Sequence, residues 1–165
     1  MDLKRRTLLG VGTLMGMGAM AKALGFGQVL AQEKQLKFAW NKTDEEWKAA
    51  LTQDQYYVLR REGTERPFTN PYHNSKAEGT YHCAGCDLAL FSSETKFDSG
   101  TGWPSFYDVL PGAMGTKSDR KLIYVRTEYH CARCLGHQGH VFEDGPDPTG
   151  LRYCNNGVAL TFKPA

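Results

Sequence analysis

The sequence predicts a mainly antiparallel β domain preceded by a small helical N-terminal lobe. Beyond Gly63 the helical period of apolar residues disappears. Short runs rich in β-branched and aromatic residues alternate there with clusters of Gly, Pro, Asn and Asp, a pattern typical of strands joined by tight loops. At 165 residues the chain has room for one compact domain with a real core.

Two short helices are predicted before Gly63. Thr43 and Thr52 are followed three residues later by Glu46 and Gln55. This spacing fits the reciprocal capping box, in which the hydroxyl caps backbone donors and the third residue reaches back to the cap. The second helix is expected to end at Gly63, because glycine readily takes the left-handed conformation that closes a helix.

The rest of the domain is predicted to consist of strands and loops. The three candidate strands are residues 79–82, 122–129 and 158–163. Turn residues are dense at residues 98–102, 111–112 and 144–150, which are therefore predicted to be loops.

The N-terminus has the layout of an export signal. The basic residues 4–6 precede an apolar, Gly- and Met-rich run at residues 10–20, as in a secretory signal. Paired arginines before that run resemble a twin-arginine (Tat) signal. We therefore predict that residues 1–31 are a signal for export to the periplasm, cleaved after Ala31, with Ala21 as a competing site.

Cleavage would leave a polar linker at residues 32–42 and a nearly neutral domain at residues 43–165. Loss of the signal removes four basic residues and one acid, so the formal charge changes from +2 to −1. Such a domain offers no electrostatic footprint for nucleic acid or an anionic membrane surface. The alternative is an uncleaved anchor, because residues 8–30 approach bilayer-spanning length. Many glycines and Lys22 favour cleavage instead, with no stable membrane insertion afterwards.

Four of the five cysteines form two Cys-x-x-Cys pairs. Cys83 and Cys86 make the first pair, and Cys131 and Cys134 make the second. Two such pairs can offer four thiolates in a tetrahedral arrangement with no open position, which is typical of structural zinc. A metal held in this way would tie two distant β segments together.

Other roles compete for these four cysteines. A redox dithiol is disfavoured because the strand–helix pattern of a thioredoxin-like unit is missing around them. Haem attachment needs a histidine directly after the second cysteine, where Asp87 and Leu135 stand instead. Structural disulfides carry more weight, since an exported protein meets an oxidising compartment. The equal spacing of the two pairs favours zinc.

Cys154 is the cysteine left over, and it is either an inert core residue or a reactive thiol. Its surroundings at residues 150–157 are polar and rich in turn residues. Arg152 would share a strand face with Cys154, and its charge would favour the thiolate. A thiol with a pKa of about 8.5 needs such help to attack at neutral pH.

Two further groups are candidates for a site. His137 and His140 could be metal ligands, surface residues or proton donors. If Cys134 completes a four-thiolate site, acid–base work is the more economical role for them. Trp103 lies between a Gly-rich loop and Pro104. Such an aromatic residue is usually part of the core, but it can also form the wall of a small apolar pocket.

Taken together, residues 43–163 resemble the peptide-methionine (R)-S-oxide reductases, the MsrB family. The matching stretches are GTERPF at 63–68, KFDSGTGWPSF at 96–106, GHVF at 139–142, DGP at 144–146 and RYCNN at 152–156. The resemblance implies two antiparallel sheets and reduction of the R epimer of methionine sulfoxide, in peptides and proteins, to methionine. It also implies one structural zinc ion on the four paired cysteines.

The resemblance further assigns roles to single residues. Cys154 would be the nucleophile and Trp103 would pack against the substrate methyl group. The remaining pocket would be formed by His137, His140 and Asn156, by Phe142 as apolar wall, and by Asp144 and Arg152 as supporting groups. Attack of the Cys154 thiolate on the sulfoxide sulfur would leave a sulfenic acid, with His140 as first and His137 as second choice of proton donor.

Two positions depart from the common family pattern. Thr101 stands just before Gly-Trp-Pro, where a resolving cysteine is common. Because four cysteines are assigned to zinc, an external thiol reductant, such as a thioredoxin-like protein, is expected to restore Cys154. Gln138 stands where leucine is frequent, and is expected to change the polarity of the pocket while leaving both histidines in register.

Two rival functions remain open at this point. In a zinc-ribbon-like binding module the cysteine pairs would build a platform for a partner, and Cys154→Ser would keep the function. A thiol peroxidase would also pass through a sulfenic acid, but it would need no pocket for a thioether methyl group.

Overall fold

The computed structural model describes residues 40–121 and 124–165. The predicted export signal at residues 1–31 and residues 32–39 of the predicted linker lie outside the described residues. The described part is mainly β, with its helices at the N-terminal end, as predicted. It contains no helix that is long and apolar enough to cross a membrane.

Two α-helices and nine strands follow one another in the described residues. The helices are α1 (Asp44–Ala50) and α2 (Gln53–Arg61). The strands are β1 (Gly79–Cys83), β2 (Ala89–Ser92), β3 (Lys96–Phe97), β4 (Ser105–Phe106), β5 (Met114–Asp119), β6 (Arg126–Cys131), β7 (His137–Phe142), β8 (Arg152–Asn155) and β9 (Leu160–Pro164).

Both helices begin at the predicted capping boxes. The Thr43 hydroxyl accepts from the Glu46 backbone N–H at 3.2 Å, and the Glu46 carboxylate accepts from the Thr43 backbone at 2.7 Å. Thr52 and Gln55 make the same reciprocal pair at 3.2 and 3.1 Å. Each box satisfies two backbone donors that a helix start leaves unpaired.

The end of α2 differs from the prediction by one residue. Glu62, not Gly63, takes the left-handed conformation, with φ 53°. Glycine is needed at position 63 for another reason, because a Cβ there would overlap the ring of Tyr57. The two carboxylate oxygens of Glu62 accept from Lys117 and Lys121, each at 2.5 Å.

The strands form the two antiparallel sheets that the resemblance implied. The smaller sheet has three strands in the order β2-β1-β9, and the larger has six in the order β3-β4-β8-β7-β6-β5. Strand β8 therefore lies inside the larger sheet, with β4 on one side and β7 on the other.

Aromatic side chains join the two sheets in a common core. Tyr81 and Phe91 come from the smaller sheet, Phe106 and Tyr129 from the larger, and all four are fully buried. Phe91 stacks on Phe106 with ring centres 4.0 Å apart, and Tyr81 meets Phe106 edge-on at 5.1 Å. These stacked and edge-to-face contacts add to the burial of large apolar areas.

Two of the three predicted strands start later than expected. Residues 124 and 125 precede β6, and Tyr124 and Val125 are more than half exposed. Strand propensity largely reflects packing of the side chain against its neighbours, and these two exposed side chains have little to pack against. At the C-terminus a 3-10 helix, Gly157–Ala159, precedes β9. The predicted loops are confirmed, with left-handed glycines such as Gly100 and Gly150.

Candidate functional site

Four cysteines converge on one buried point between the sheets. The sulfur atoms of Cys83, Cys86, Cys131 and Cys134 all lie within 4.8 Å of one another. The shortest separations run between the two pairs, at 3.6 Å for Cys83–Cys134 and 3.4 Å for Cys86–Cys131. Both are far longer than a disulfide bond of about 2.05 Å.

The spacing fits a zinc ion held by four thiolates. With Zn–S distances of about 2.3 Å, sulfurs at the corners of a tetrahedron are about 3.8 Å apart. All four cysteines are buried, and four thiolates leave no coordination position for a substrate. The predicted structural zinc site is therefore confirmed, with one ion supplying folding stability rather than chemistry.

The fold builds the two halves of the zinc site in the same way. Strand β1 ends at Cys83 and strand β6 ends at Cys131. Each strand is followed by a tight turn whose closing N–H, from Asp87 or Leu135, donates to the carbonyl of that first cysteine at 2.8 or 2.9 Å. Both closing residues are left-handed, with φ 58° and 59°. Because β1 and β6 belong to different sheets, the metal ties the sheets together.

Cys154 lies outside the four-cysteine cluster, in the middle of strand β8. Its cross-strand neighbours are Ser105 on β4 and His140 on β7. The approach of β7 requires Gly139, because a Cβ there would overlap the carbonyl oxygen of Cys154. The register of the larger sheet therefore places a histidine directly beside a partly exposed cysteine.

The charge environment of Cys154 is mixed. Burial raises the pKa of the Cys154 thiol, and the Arg152 guanidinium and a hydrogen bond with Thr101 only partly offset that effect. Arg152 is fixed by two hydrogen bonds to the Asp144 carboxylate, at 2.9 and 2.8 Å. Its guanidinium also lies over the Phe142 ring, 4.4 Å from the centroid. Arg152 thus favours the thiolate as expected, but it does not outweigh burial.

A cleft of about 120 Å³ opens onto Cys154. Its walls are mainly apolar. The lining residues are Thr64, Trp103, Arg126, Gly139, His140, Phe142, Cys154, Asn155 and Asn156. The indole N–H of Trp103 donates to the backbone oxygen of Glu65 at 3.1 Å, which fixes the plane of the ring. The cleft has the size and character to hold a thioether side chain against Trp103 and Phe142.

His140 is held by a carboxylate that the sequence did not reveal. Its Nε2 lies 2.7 Å from Oδ2 of Asp119, at the end of β5. The same oxygen accepts from Arg126 at 2.6 Å. Hydrogen bonds from the Lys121 backbone N–H, His140 and Arg126 lower the pKa of Asp119 well below its usual range. Burial lowers the pKa of His140, and Asp119 opposes that shift only in part.

His137 is placed differently from His140, behind the cleft rather than in its wall. It is buried, and its Nδ1 lies 2.7 Å from Oε1 of Glu128. Among the described residues, its Nε2 has no hydrogen-bond partner. The two imidazole rings are 5.5 Å apart, edge to face. Burial raises the pKa of Glu128, but the hydrogen bonds from His137 and His130 outweigh it and hold that pKa below its usual value.

A bulge in β7 explains why histidines three residues apart come together. The pairing with β6 slips between Tyr129 and His130, so that Gln138 has no partner in the ladder. An extra residue in a strand interrupts the alternation of side chains between the two faces. Gln138 is fully buried, and its Nε2 lies 3.4 Å from the sulfur of Cys83. The expectation that it would change the polarity of the pocket was wrong, because its side chain faces the zinc site.

Asn156 lines the cleft, and both polar atoms of its side chain are already hydrogen-bonded to the backbone. Its Nδ2 donates to the backbone oxygen of Gln138 at 2.9 Å, and its Oδ1 accepts from the Glu65 backbone N–H at 3.0 Å. The Glu65 carboxylate in turn accepts from the backbone N–H groups of Gly157 and Val158. These bonds join the segment around Glu65, whose backbone oxygen accepts from the Trp103 indole, to the end of β8.

Sequence reasoning missed three charged residues around the cleft: Asp119, Arg126 and Glu128. Each meets its histidine or carboxylate because β5, β6 and β7 are neighbouring strands of the larger sheet. The signal available in the sequence was the Arg-Thr-Glu run at residues 126–128, where charged residues alternate along a strand. An alternation of this kind places Arg126 and Glu128 on one face.

The comparisons with known proteins agree with this site. The SelR domain family matches residues 51–164. A peptide methionine sulfoxide reductase MsrB from Agrobacterium fabrum is 57% identical over 125 residues, which cover 75% of this chain and 93% of that protein. The proteins of the same name from Pseudomonas putida and Methanosarcina barkeri are 58% and 56% identical, covering 75% and 76% of this chain and 94% and 89% of theirs.

The zinc site, the two-sheet fold and the sequence identity all lead to one assignment. The family match spans most of the described residues, including all five cysteines and the whole cleft. The relatives are matched over nearly their entire length. The chain therefore belongs to the SelR (MsrB) family and is a zinc-containing peptide-methionine (R)-S-oxide reductase, which reduces the R epimer of methionine sulfoxide to methionine.

Proposed function

We propose that Cys154 carries the reduction as nucleophile. The observation that supports this most strongly is the position of its sulfur in the cleft, beside His140 and facing the apolar wall of Trp103 and Phe142. In the proposed reaction the Cys154 sulfur attacks the sulfoxide sulfur and the S–O bond breaks. The oxygen then bonds to the Cys154 sulfur, which becomes a sulfenic acid, as the transient S–S bond breaks and methionine leaves. The cysteine sulfur loses two electrons and the sulfoxide sulfur gains them.

The step requires the proton of the Cys154 thiol to reach the departing oxygen, and His140 is placed to carry it. Because burial raises the pKa of Cys154 and lowers that of His140, a thiol beside a neutral imidazole is the favoured resting state near neutral pH. His140 takes the thiol proton and donates it to the departing oxygen. Asp119 stabilises the imidazolium that forms in between, 2.7 Å away. His137 is the second candidate donor, through its free Nε2.

Substitution of each histidine separates the two candidate donors. His140→Gln is expected to lower kcat by roughly 10²-fold or more, which is the usual contribution of a general acid. His137→Gln is expected to cost less, because His137 lies behind the cleft. If the larger loss follows His137→Gln, the order of the two donors is reversed.

Regeneration of Cys154 requires a thiol from outside the chain. The other four cysteines are committed to zinc, and Thr101 occupies the position next to Gly102 and Trp103. A thiol such as that of a thioredoxin-like protein attacks the sulfenic acid, releases water and forms a mixed disulfide, which a second thiol then reduces. Loss of zinc should not accompany turnover, since none of the zinc ligands takes part.

The decisive experiment measures turnover of the two separated sulfoxide epimers of a methionyl peptide, with dithiothreitol as reductant. We expect the zinc-loaded domain to consume only the R epimer, and Cys154→Ser to abolish that activity while keeping the zinc and the melting temperature. Equal activity of the Cys154→Ser variant, in a folded protein that contains zinc, would overturn the proposed role of Cys154.

We also propose that residues 1–31 direct export to the periplasm by a twin-arginine route. The support is the pair Arg5-Arg6 before the apolar run at residues 10–20. Fractionation of cells that express the full chain should find a shortened protein in the periplasm. The double substitution Arg5→Lys and Arg6→Lys should leave the full-length chain inside the cell, whereas Lys4→Ala, outside the pair, should not. Periplasmic recovery of the double variant would contradict a twin-arginine signal.

A further inference from the structure

The side chain of Gln138 lies between the zinc site and the strand that carries Cys154. Gln138 is the bulged residue of β7 and is fully buried. A buried primary amide is costly unless its donors and acceptors find partners. The partners of Gln138 are therefore informative about what this residue does.

The orientation of the amide is fixed by its neighbours. Asn155 Oδ1 accepts from the Tyr129 hydroxyl at 2.8 Å, and Asn155 Nδ2 donates to the Asn156 carbonyl at 2.8 Å. The Nδ2 group of Asn155 thus also faces Gln138, 3.5 Å from Oε1. If the Gln138 amide were reversed, two NH₂ groups would oppose each other there. The Gln138 NH₂ group therefore faces Cys83, with N and S 3.4 Å apart.

We propose that Gln138 stabilises the zinc-bound thiolate of Cys83 and slows loss of the metal. An N–H group that donates to an ionised sulfur favours the charged form and draws electron density from it. The sulfur then resists oxidation, an event that releases zinc from a thiolate. Partners of this kind around metal ligands change metal affinity by about 10–100-fold when they are removed.

The same amide also joins the zinc site to the reactive strand. Its NH₂ group bonds Cys83, which ends β1 in the smaller sheet. Its oxygen faces Asn155, the residue directly after Cys154 on β8 in the larger sheet. Among the described hydrogen bonds, this is a short side-chain path from a zinc ligand to the neighbour of the nucleophile. Gln138 therefore contacts both a zinc ligand and the strand that lines the cleft at Cys154.

The test compares zinc release from the intact domain and from Gln138→Leu, followed with a coloured chelator. Leucine is similar in volume and lacks the donor, and Gln138→Met provides a second, unbranched replacement if the leucine variant does not fold. We expect both variants to release zinc roughly tenfold faster than the parent. We also expect the ultraviolet sulfur-to-metal charge-transfer band of the cobalt-substituted protein to move to longer wavelength, because the unbonded sulfur gives up electrons more easily.

Arg133→Leu is the matched control. Arg133, in the second turn, donates to the Cys86 carbonyl in the first turn at 3.0 Å and so joins the two halves of the same site without a bond to sulfur. Its loss is expected to leave the charge-transfer band in place. Unchanged release rates and an unchanged band in Gln138→Leu and Gln138→Met would overturn the proposal. A band shift of equal size in Arg133→Leu would also overturn it, because the shift would then report general loosening.

Discussion

The zinc site and the cleft use the same side chain, cysteine, in opposite ways. In the zinc site four buried thiols lie within 4.8 Å of one another, on two turns that share the same closing hydrogen bond and the same left-handed closing residue. In the cleft a single thiol stands among an arginine, a histidine and two aromatic rings. A thiolate surrounded by other thiolates is stabilised by a metal, whereas an isolated thiol beside a histidine remains free to react. Surroundings, rather than residue type, decide which cysteine supports the fold and which performs chemistry.

The largest expected effects come from exchanging one cysteine in each region. Cys154→Ser should lower kcat/KM by about 10³-fold or more, because serine is a far weaker nucleophile, yet change the melting temperature by no more than about 2 °C. Cys86→Ala should lower the melting temperature by about 10 °C or more, because the metal no longer holds the two sheets. Thermal unfolding and turnover on each variant check the pair. Strong destabilisation of the Cys154→Ser protein would contradict this contrast, because Cys154 would then also support the fold.

Asp119→Asn is expected to lower kcat/KM by about 10–100-fold, because the imidazolium of His140 loses its carboxylate partner. The carboxylate raises the pKa of His140 against the effect of burial, so its removal lowers that pKa further. Since His140 must be neutral to accept the proton of Cys154, the acid limb of the kcat/KM profile should move to lower pH. A pH profile measures both effects, and an unmoved acid limb would argue against His140 as proton carrier.

Arg152→Met should slow alkylation of Cys154 by iodoacetamide roughly tenfold near neutral pH. Arg152 lowers the pKa of Cys154 against burial, and loss of an opposite charge at close range raises such a pKa by about 1 unit or more. The midpoint of the alkylation profile should therefore move to higher pH while the zinc content stays constant. Asp144→Asn, which keeps the arginine charge, serves as control and should not raise the midpoint.

Thr101→Val should have the smallest effect, a decrease of about threefold in the same alkylation rate, corresponding to one hydrogen bond. The Thr101 hydroxyl favours the thiolate of Cys154 and lies 2.8 Å from the Ser99 hydroxyl. Ser99→Ala removes that neighbour but leaves the bond to Cys154, so its rate should stay near that of the parent. An unchanged alkylation rate in Thr101→Val would show that the Thr101 hydroxyl does not stabilise the Cys154 thiolate.

The comparison of the two regions also explains what could be predicted from the sequence. Each half of the zinc site is a local turn, so the spacing of Cys83 and Cys86 carries most of the information. The capping boxes at Thr43 and Thr52 are local in the same sense. The pair of Asp119 and His140 is different, because the residues are 21 positions apart and meet only through the register of three strands.

The bulge at Gln138 shows why such features escape prediction. Strict alternation would place Gln138 and His140 on one face of β7, and the sequence contains no sign that the ladder slips there. One unpaired residue sends the amide to the zinc site and brings His137 beside His140. The very short strands β3 and β4 were missed for a related reason. With two residues each, they are too short to show an alternation of apolar and polar residues. They are strands only because β4 pairs with β8 and β3 pairs with β4.

The close approach of β7 to β8 depends on Gly139. Any side chain at this position would overlap the backbone of Cys154 and would push β7 away from β8, which would separate His140, the proposed proton carrier, from Cys154, the proposed nucleophile. Rates of proton transfer and displacement fall steeply when reacting groups are misplaced by as little as about 1 Å. In the proposed reaction, the distance between Cys154 and His140 therefore depends on the absence of a Cβ atom at Gly139, a residue that itself has no side chain to take part in the chemistry.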